Sequence, residues 1–269
     1  MHEGVLLRPR PVPHARFRLF LLHHAGGSSR GYRPWMRHFP SDWEVCLVEA
    51  PGRGRAKRSE PFREARALTR HLREDLAPEL DRPFGFFGHS MGALLAYELT
   101  NLLAAEGPSR PSWLGVSAWS PAPGPERDEP RHLLSSERLR EGVARMGGIP
   151  ASSLADPDQW RTVEPLFRAD LGLVDTWRPD PAAPPLRAPL SVFGGQDDPG
   201  FPPERLAAWE DHAEGPVERH LLPGGHFYFV GRTGDVATRI TKDVHAALSR
   251  DAQPARGPGH PGPGSADQA

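Results

Sequence analysis

The chain reads as an α/β protein with a mostly parallel, doubly wound sheet and a helical lid insertion. Three observations predict this. Short apolar runs alternate with longer amphipathic ones along most of the sequence. The central runs are apolar throughout, as strands covered on both faces require. One long stretch interrupts the alternation with helical patterning alone.

In chain order, Phe17–Leu22 (FRLFLL), Val45–Val48, Phe84–Phe87, Trp113–Trp119, Leu190–Phe193 and Val217–Leu222 are the predicted strands. Arg63–Leu80, Met91–Glu106, Pro203–Asp211 and Thr233–Leu248 carry apolar residues at helical spacing between them. From Pro121 to about Pro185 only Pro-punctuated helical pieces occur. Among these, Asp156-Pro157-Asp158-Gln159 has an N-cap, a proline in the first turn and Gln three residues beyond the cap. The expected organisation is one domain over 1–250, with its core at 17–120 and 186–250 and the lid at about 121–185. The Gly/Pro-rich tail 251–269 lacks apolar anchors and is expected to be disordered.

Composition removes several function classes. Of 269 residues, 33 are Lys or Arg and 34 are Asp or Glu, a net charge of -1. This balance argues against a nucleic-acid binder, which needs a basic excess for phosphate contacts. A single cysteine, Cys46, excludes an internal disulfide and a cysteine-built zinc site, and reads as a small buried apolar residue. No apolar run approaches the roughly 18 residues of a membrane helix, and the first residues lack the apolar core of a secretory signal. A cytoplasmic protein with no membrane partner is expected.

The chemistry centres on Gly88-His89-Ser90-Met91-Gly92, a G-x-S-x-G between a predicted strand and a long helix. In that context the glycines permit a tight strand-to-helix turn that lifts the Ser90 hydroxyl over the sheet edge. A serine needs a base. His226 follows the last strand in Pro223-Gly224-Gly225-His226-Phe227, and an orienting acid follows the strand before it in Gly194-Gly195-Gln196-Asp197-Asp198-Pro199. Either aspartate can orient His226. Asp198 is preferred because it lies past the turn and Pro199 fixes the backbone after it. The order Ser90, Asp198, His226 is that of the α/β-hydrolase fold. Backbone amides of Met91 and of Ala25, in the loop His23-His24-Ala25-Gly26-Gly27, are the expected oxyanion donors. Adjacent His23 and His24 point to opposite faces and do not make a metal site. His220, within a strand, reads as structural. These parts perform acyl transfer with no metal or redox cofactor.

The chain also resembles the stand-alone type II thioesterases that accompany polyketide synthases and nonribosomal peptide synthetases. The resemblance runs from about Phe17 to Leu248 on HHAGGSS at 23–29, APGRGR at 50–55, FFGHSMGALLAYEL at 86–99, LFRADL at 166–171 and GGHFYF at 224–229. It implies an α/β-hydrolase core under a mobile lid, with Ser90, Asp198 and His226 as triad and Ala25 and Met91 as oxyanion donors. The implied substrate is an acyl group on the phosphopantetheine arm of an acyl or peptidyl carrier protein, cleared when wrongly loaded or stalled. The prosthetic arm belongs to the substrate, and no cofactor is implied for the enzyme. His23 stands where the family usually has Pro, which bears on the oxyanion loop's rigidity. Trp177 stands where a tyrosine is expected, which bears on the acyl pocket. Arg53, Arg55, Lys57 and Arg58 form either a basic rim suited to an acidic carrier and its phosphate, or a solvated loop in which Arg53 ties down the turn by ion pairs. Arg168 and Asp170 are expected to pair and anchor the lid. Leu133, Leu134, Leu139, Met146, Trp160, Leu166, Phe167 and Trp177 are the apolar residues available to pack the lid and line an acyl tunnel. The same constellation also serves a carboxylesterase, a lipase-like enzyme or an acyltransferase; a non-catalytic carrier-binding scaffold is the remaining alternative.

Overall fold

The computed structural model describes residues 5–107, 109–122, 129–148 and 151–251. The predicted tail lies outside them, apart from the last helical residue. Seven strands form one sheet: β1 (Leu6–Leu7), β2 (Phe17–Leu22), β3 (Trp43–Val48), β4 (Phe84–His89), β5 (Trp113–Ser117), β6 (Leu190–Gly195) and β7 (Val217–Leu222). Their order is β1-β3-β2-β4-β5-β6-β7, parallel throughout except for β1. The helices are α1 (Ala65–Leu76), α2 (Met91–Glu106), α3 (Ser136–Met146), α4 (Ala151–Ala155), α5 (Pro157–Thr176), α6 (Pro203–Ala207) and α7 (Thr233–Asp251).

Alternation along β2 shows how the sheet is covered on both sides. Phe20 and Leu22 enter a core with Leu68 and Leu72 of α1, Leu94 and Leu95 of α2, and Trp209. Phe17, Leu19 and Leu21 enter the other, with Tyr32, Trp35 and the Val236, Ile240 and Val244 stripe of α7. Helix α2 is apolar nearly all round because it is buried nearly all round. The lid has a third, smaller core of Leu139, Val143, Leu154, Trp160, Phe167 and Leu171, with Ala25 of the main domain packed against it. Asp156 caps α5 as predicted, its carboxylate accepting from the amides of Asp158 and Gln159.

Several elements differ from the sequence reading. The two-residue strand β1 pairs antiparallel with β3, outside the core expected to begin at residue 17. Strand β5 stops at Ser117 rather than Trp119, because Ala118 turns left-handed at φ 49°. The helix expected over Arg63–Leu80 is α1, followed by a 3-10 turn at Ala77–Glu79. An unpredicted 3-10 stretch, Ser29–His38, places Tyr32 and Trp35 on the sheet. Cys46 is buried, and burial followed by the Glu44 carboxylate pushes its thiol pKa up to about 12.

The chain order reverses between β2 and β4, which pair from Arg18↔Phe84 to Leu22↔Gly88. Crevices at such switch points, outside the carboxyl ends of parallel strands, are where ligands bind in open α/β sheets. Here the two strand ends carry the His23–Gly27 loop and Ser90.

Candidate active site

Ser90 sits at φ 56°, ψ -116°, a conformation that L residues rarely adopt. Its amide donates to the Ser117 carbonyl at 2.8 Å, and its own carbonyl accepts from Ala93 and Leu94. The flanking glycines are sterically required. A Cβ on Gly88 would lie 2.0 Å from the Gly92 oxygen, and one on Gly92 would lie 2.1 Å from the Leu22 oxygen. The helix can therefore start against the strand end, and Met91, its first residue, keeps an amide with no intrahelical acceptor.

β6 and β7 bring the acid and the imidazole together. Their register runs to Gly195↔Leu222, and a Cβ on Gly195 would meet the Gly225 oxygen at 2.2 Å, so the two following loops touch. His226 Nδ1 is 2.7 Å from Asp198 Oδ2, with the two side chains 8% and 3% exposed. Asp198 Oδ1 accepts from the Gly200 amide at 2.9 Å. Burial acts to raise the Asp198 pKa. The hydrogen bond and charge of His226, with the Gly200 and Phe201 amides, outweigh it and hold the carboxyl below its ordinary value. Asp197 is exposed and accepts from the Gly224 amide instead. Ser90 and His226 line one cleft, and the Ser90 hydroxyl makes no hydrogen bond to another described residue.

The loop after β2 is held atom by atom. The His24 carbonyl accepts from the Gly27 amide at 3.0 Å and lies 2.8 Å from His23 Nδ1. His23 Nε2 accepts from the Ala50 amide, so Nδ1 is the donor nitrogen. Burial, then the Arg53 charge, keeps the His23 pKa well below its usual value. In a trans peptide the Ala25 N–H points away from this clamped carbonyl. Among the described residues it has no acceptor. His23 thus ties the loop at both ring nitrogens.

The cleft is a cavity of about 20 Å³. That is room for about one water. The lid residues that line it include Arg131, Val143, Met146, Phe167, Leu171 and Val174. Met146 and Phe167 were among the residues expected to be available for this; the others were not singled out. Trp177 does not line it: its indole N–H donates to Glu98 at 2.6 Å, and its ring packs against Tyr97 and Trp119. Against His226, at a ring-centroid distance of 4.9 Å, lies buried His89, to which the sequence analysis assigns no role. Its Nδ1 meets Ser117 Oγ at 2.8 Å, and Ser117 meets the Tyr228 hydroxyl at 2.8 Å. Burial, then His226 and His24, keeps its pKa well below normal, so it is neutral.

Two expectations are corrected. Arg53 is not part of a docking rim. It is 6% exposed, and both terminal nitrogens bind Asp170 at 2.6 Å, while Arg55, Lys57 and Arg58 are exposed. Asp170 therefore does not pair with Arg168. Arg168 binds Glu164 and the carbonyls of His132 and Leu134, within the lid. His220 meets Asp243 of α7 at 2.6 Å, away from the cleft. Among the described residues no group of three or more His, Cys, Asp or Glu side chains could hold a metal.

Comparison with known proteins places these features in a family. Residues 17–248 match the thioesterase domain. Thioesterase PikA5 of Streptomyces venezuelae is 31% identical over 251 residues, 93% of this chain and 88% of that protein. The gramicidin S biosynthesis protein GrsT of Aneurinibacillus migulanus is 29% identical over 87% of this chain and 91% of its own. The solved structure of the type II thioesterase BorB, from the borrelidin biosynthetic cluster, superposes with a TM-score of 0.81 at 31% identity, covering 91% of this chain and 99% of that one. The fold is accordingly the α/β-hydrolase fold, and the chain belongs to the thioesterase domain family.

Proposed function

We propose that the protein hydrolyses acyl groups from the phosphopantetheine arm of acyl or peptidyl carrier proteins, clearing wrongly loaded or stalled chains. The observation that carries this is the left-handed Ser90 elbow opening into the cleft that also holds the His226–Asp198 pair. The names of the relatives support the pathway class.

In this reading Ser90 attacks the thioester carbonyl while His226 Nε2 takes the hydroxyl proton. Nδ1–H stays on the Asp198 carboxylate, which selects the tautomer and stabilises the imidazolium. The Ala25 and Met91 amides bind the oxyanion, each contributing about 3 kcal/mol. The thiol leaves with the proton from His226, and water attacks the acyl-enzyme by the same route. A thiol of pKa about 8.5 is a better leaving group than an alkoxide. The chain's own residues supply every step, so no cofactor is included. The domain spans about 1–250 with the lid inserted at about 121–185, and the protein works in the cytoplasm. No helix among the described residues is long and apolar enough to cross a membrane.

With Arg53 removed, the docking role falls to exposed Arg55 and Arg58, beside Lys57. Replacing Arg55 and Arg58 together by Ser should raise KM for an acylated carrier protein and leave small acyl-pantetheine thioesters unaffected. Equal change on both substrates removes docking from the account. Turnover of nitrophenyl esters well above that of acyl-pantetheine thioesters removes the thioesterase assignment of the site.

A further inference from the structure

The loop that supplies the Ala25 amide is fixed in part by the lid. The Gly26 amide donates to Asp170 Oδ2 at 2.7 Å, across 144 residues of sequence. The other end of the same peptide unit, the Ala25 carbonyl, lies 2.9 Å from His24 Nδ1. The unit is therefore held at both ends, and this sets the orientation of Ala25 itself. Arg53 completes the arrangement. It grips both oxygens of Asp170 at 2.6 Å and donates to the Gly27 carbonyl at 3.1 Å. The side chains of Asp170 and Arg53 are 1% and 5% exposed, so these charge-assisted bonds are shielded from water. One turn earlier on α5, the Phe167 ring lies where a Gly26 Cβ would be, 2.1 Å away. Positions 167 and 170 share a helix face, and that face is set down on the loop.

We propose that Asp170, seated by Arg53, is a positioning residue for the oxyanion hole, so that the hole is set only when lid helix α5 is down. Lid opening withdraws the acceptor of the Gly26 amide and leaves Arg53 with the Gly27 carbonyl. The enzyme then loses transition-state complementarity until the lid closes over a bound acyl group, which couples substrate enclosure to hydrolysis. Asp170 touches no reacting atom in this scheme. The proposal rests on the serine thioesterase reading above.

The test compares wild type with Asp170→Asn, Asp170→Ala and Arg53→Lys on a small acyl-pantetheine thioester, which needs no carrier docking. Two inhibitors are titrated beside it: an acyl trifluoromethyl ketone, which adds Ser90 to form an oxyanion, and the non-hydrolysable thioether of the same chain. A loop displacement of about 1 Å can cost about 100-fold in rate. Asp170→Ala is therefore expected to lower kcat by about 10- to 100-fold and weaken the ketone by a similar factor. KM and thioether affinity should change less than about threefold, and Arg53→Lys should fall between wild type and Asp170→Ala. Near-UV circular dichroism and Tm identify variants that fold; Asp170→Asn serves if Asp170→Ala does not. Equal weakening of ketone and thioether, or an unchanged kcat, overturns the positioning role. Retained turnover in Ser90→Ala overturns the underlying reading instead, so the two failures are distinguishable.

Discussion

Replacing Asp198 by Asn changes one atom and reverses the polarity of the hydrogen bond that orients His226. In the wild type, Oδ2 accepts from His226 Nδ1 at 2.7 Å while Oδ1 accepts from the Gly200 amide at 2.9 Å. Asparagine offers a single carbonyl oxygen. The Gly200 and Phe201 amides both point at this side chain and hold that oxygen on their side, so the new NH₂ faces Nδ1. His226 must then present a lone pair at Nδ1 and carry its proton on Nε2, the nitrogen that has to accept the serine proton. The imidazolium formed during attack also loses its counter-charge in a site where both side chains are under a tenth exposed. Loss of the tautomer and the counter-charge together is worth about 10⁴ in kcat in a serine-protease triad, or about 5.5 kcal/mol at 1.36 per decade. The assay is single-turnover hydrolysis of an acyl-pantetheine thioester, with Tm recorded in parallel. A folded Asp198→Asn protein that loses less than about tenfold contradicts the assigned role of Asp198.

Three further outcomes are expected. Gly92→Ala forces a methyl group to within 2.1 Å of the backbone oxygen of Leu22, and should destabilise by about 1–3 kcal/mol; an unchanged urea midpoint would show that strand and helix do not need this close approach. Phe167→Ala removes the ring that covers Gly26 and borders the cleft. It should raise kcat/KM for long acyl chains relative to acetyl by about tenfold or more, measured across a chain-length series. Because the folded Asp198 pKa lies below its unfolded value of about 3.9, its ionised form contributes stability above that pH, lost as pH falls through the folded pKa. The stability difference between wild type and Asp198→Asn should therefore shrink on acidification below about pH 4, and a difference that grows there contradicts the shift.

Much of the fold was legible because the signals are local. Unbroken apolar runs mark parallel strands buried on both faces, and the strand–GHSMG–helix junction carries its own steric explanation in Gly88 and Gly92. Asp198 could be preferred over Asp197 from its place past the turn, and the His226 contact falls on Asp198. What stayed hidden depends on partners far away in sequence. The run holding Arg53 reads as a docking rim or as a loop tied by ion pairs, and the partner that decides it is 117 residues on, in a helix that lies over it only after folding. The same distance hid the partner of Asp170, whereas Arg168 pairs with Glu164 four residues earlier on its own helix. β1 is two residues long and exists by pairing with β3, which no periodicity can announce. The Ser29–His38 stretch contains Pro34 and forms 3-10 rather than α turns, although Tyr32, Trp35 and Met36 stand at helical spacing. The motif string gives His89 no role of its own; packing reveals it against His226.

The central claim is that Ser90 carries the acyl group between thioester and water. Rapid acid quenching of the enzyme with an acyl-pantetheine thioester, followed by peptide mass mapping, tests it most directly. The expected result is an acyl mass increment on the peptide containing Ser90 within the first turnover, absent in Ser90→Ala, which should also lose hydrolysis. An increment on a different residue, or hydrolysis at the wild-type rate by Ser90→Ala, would contradict it.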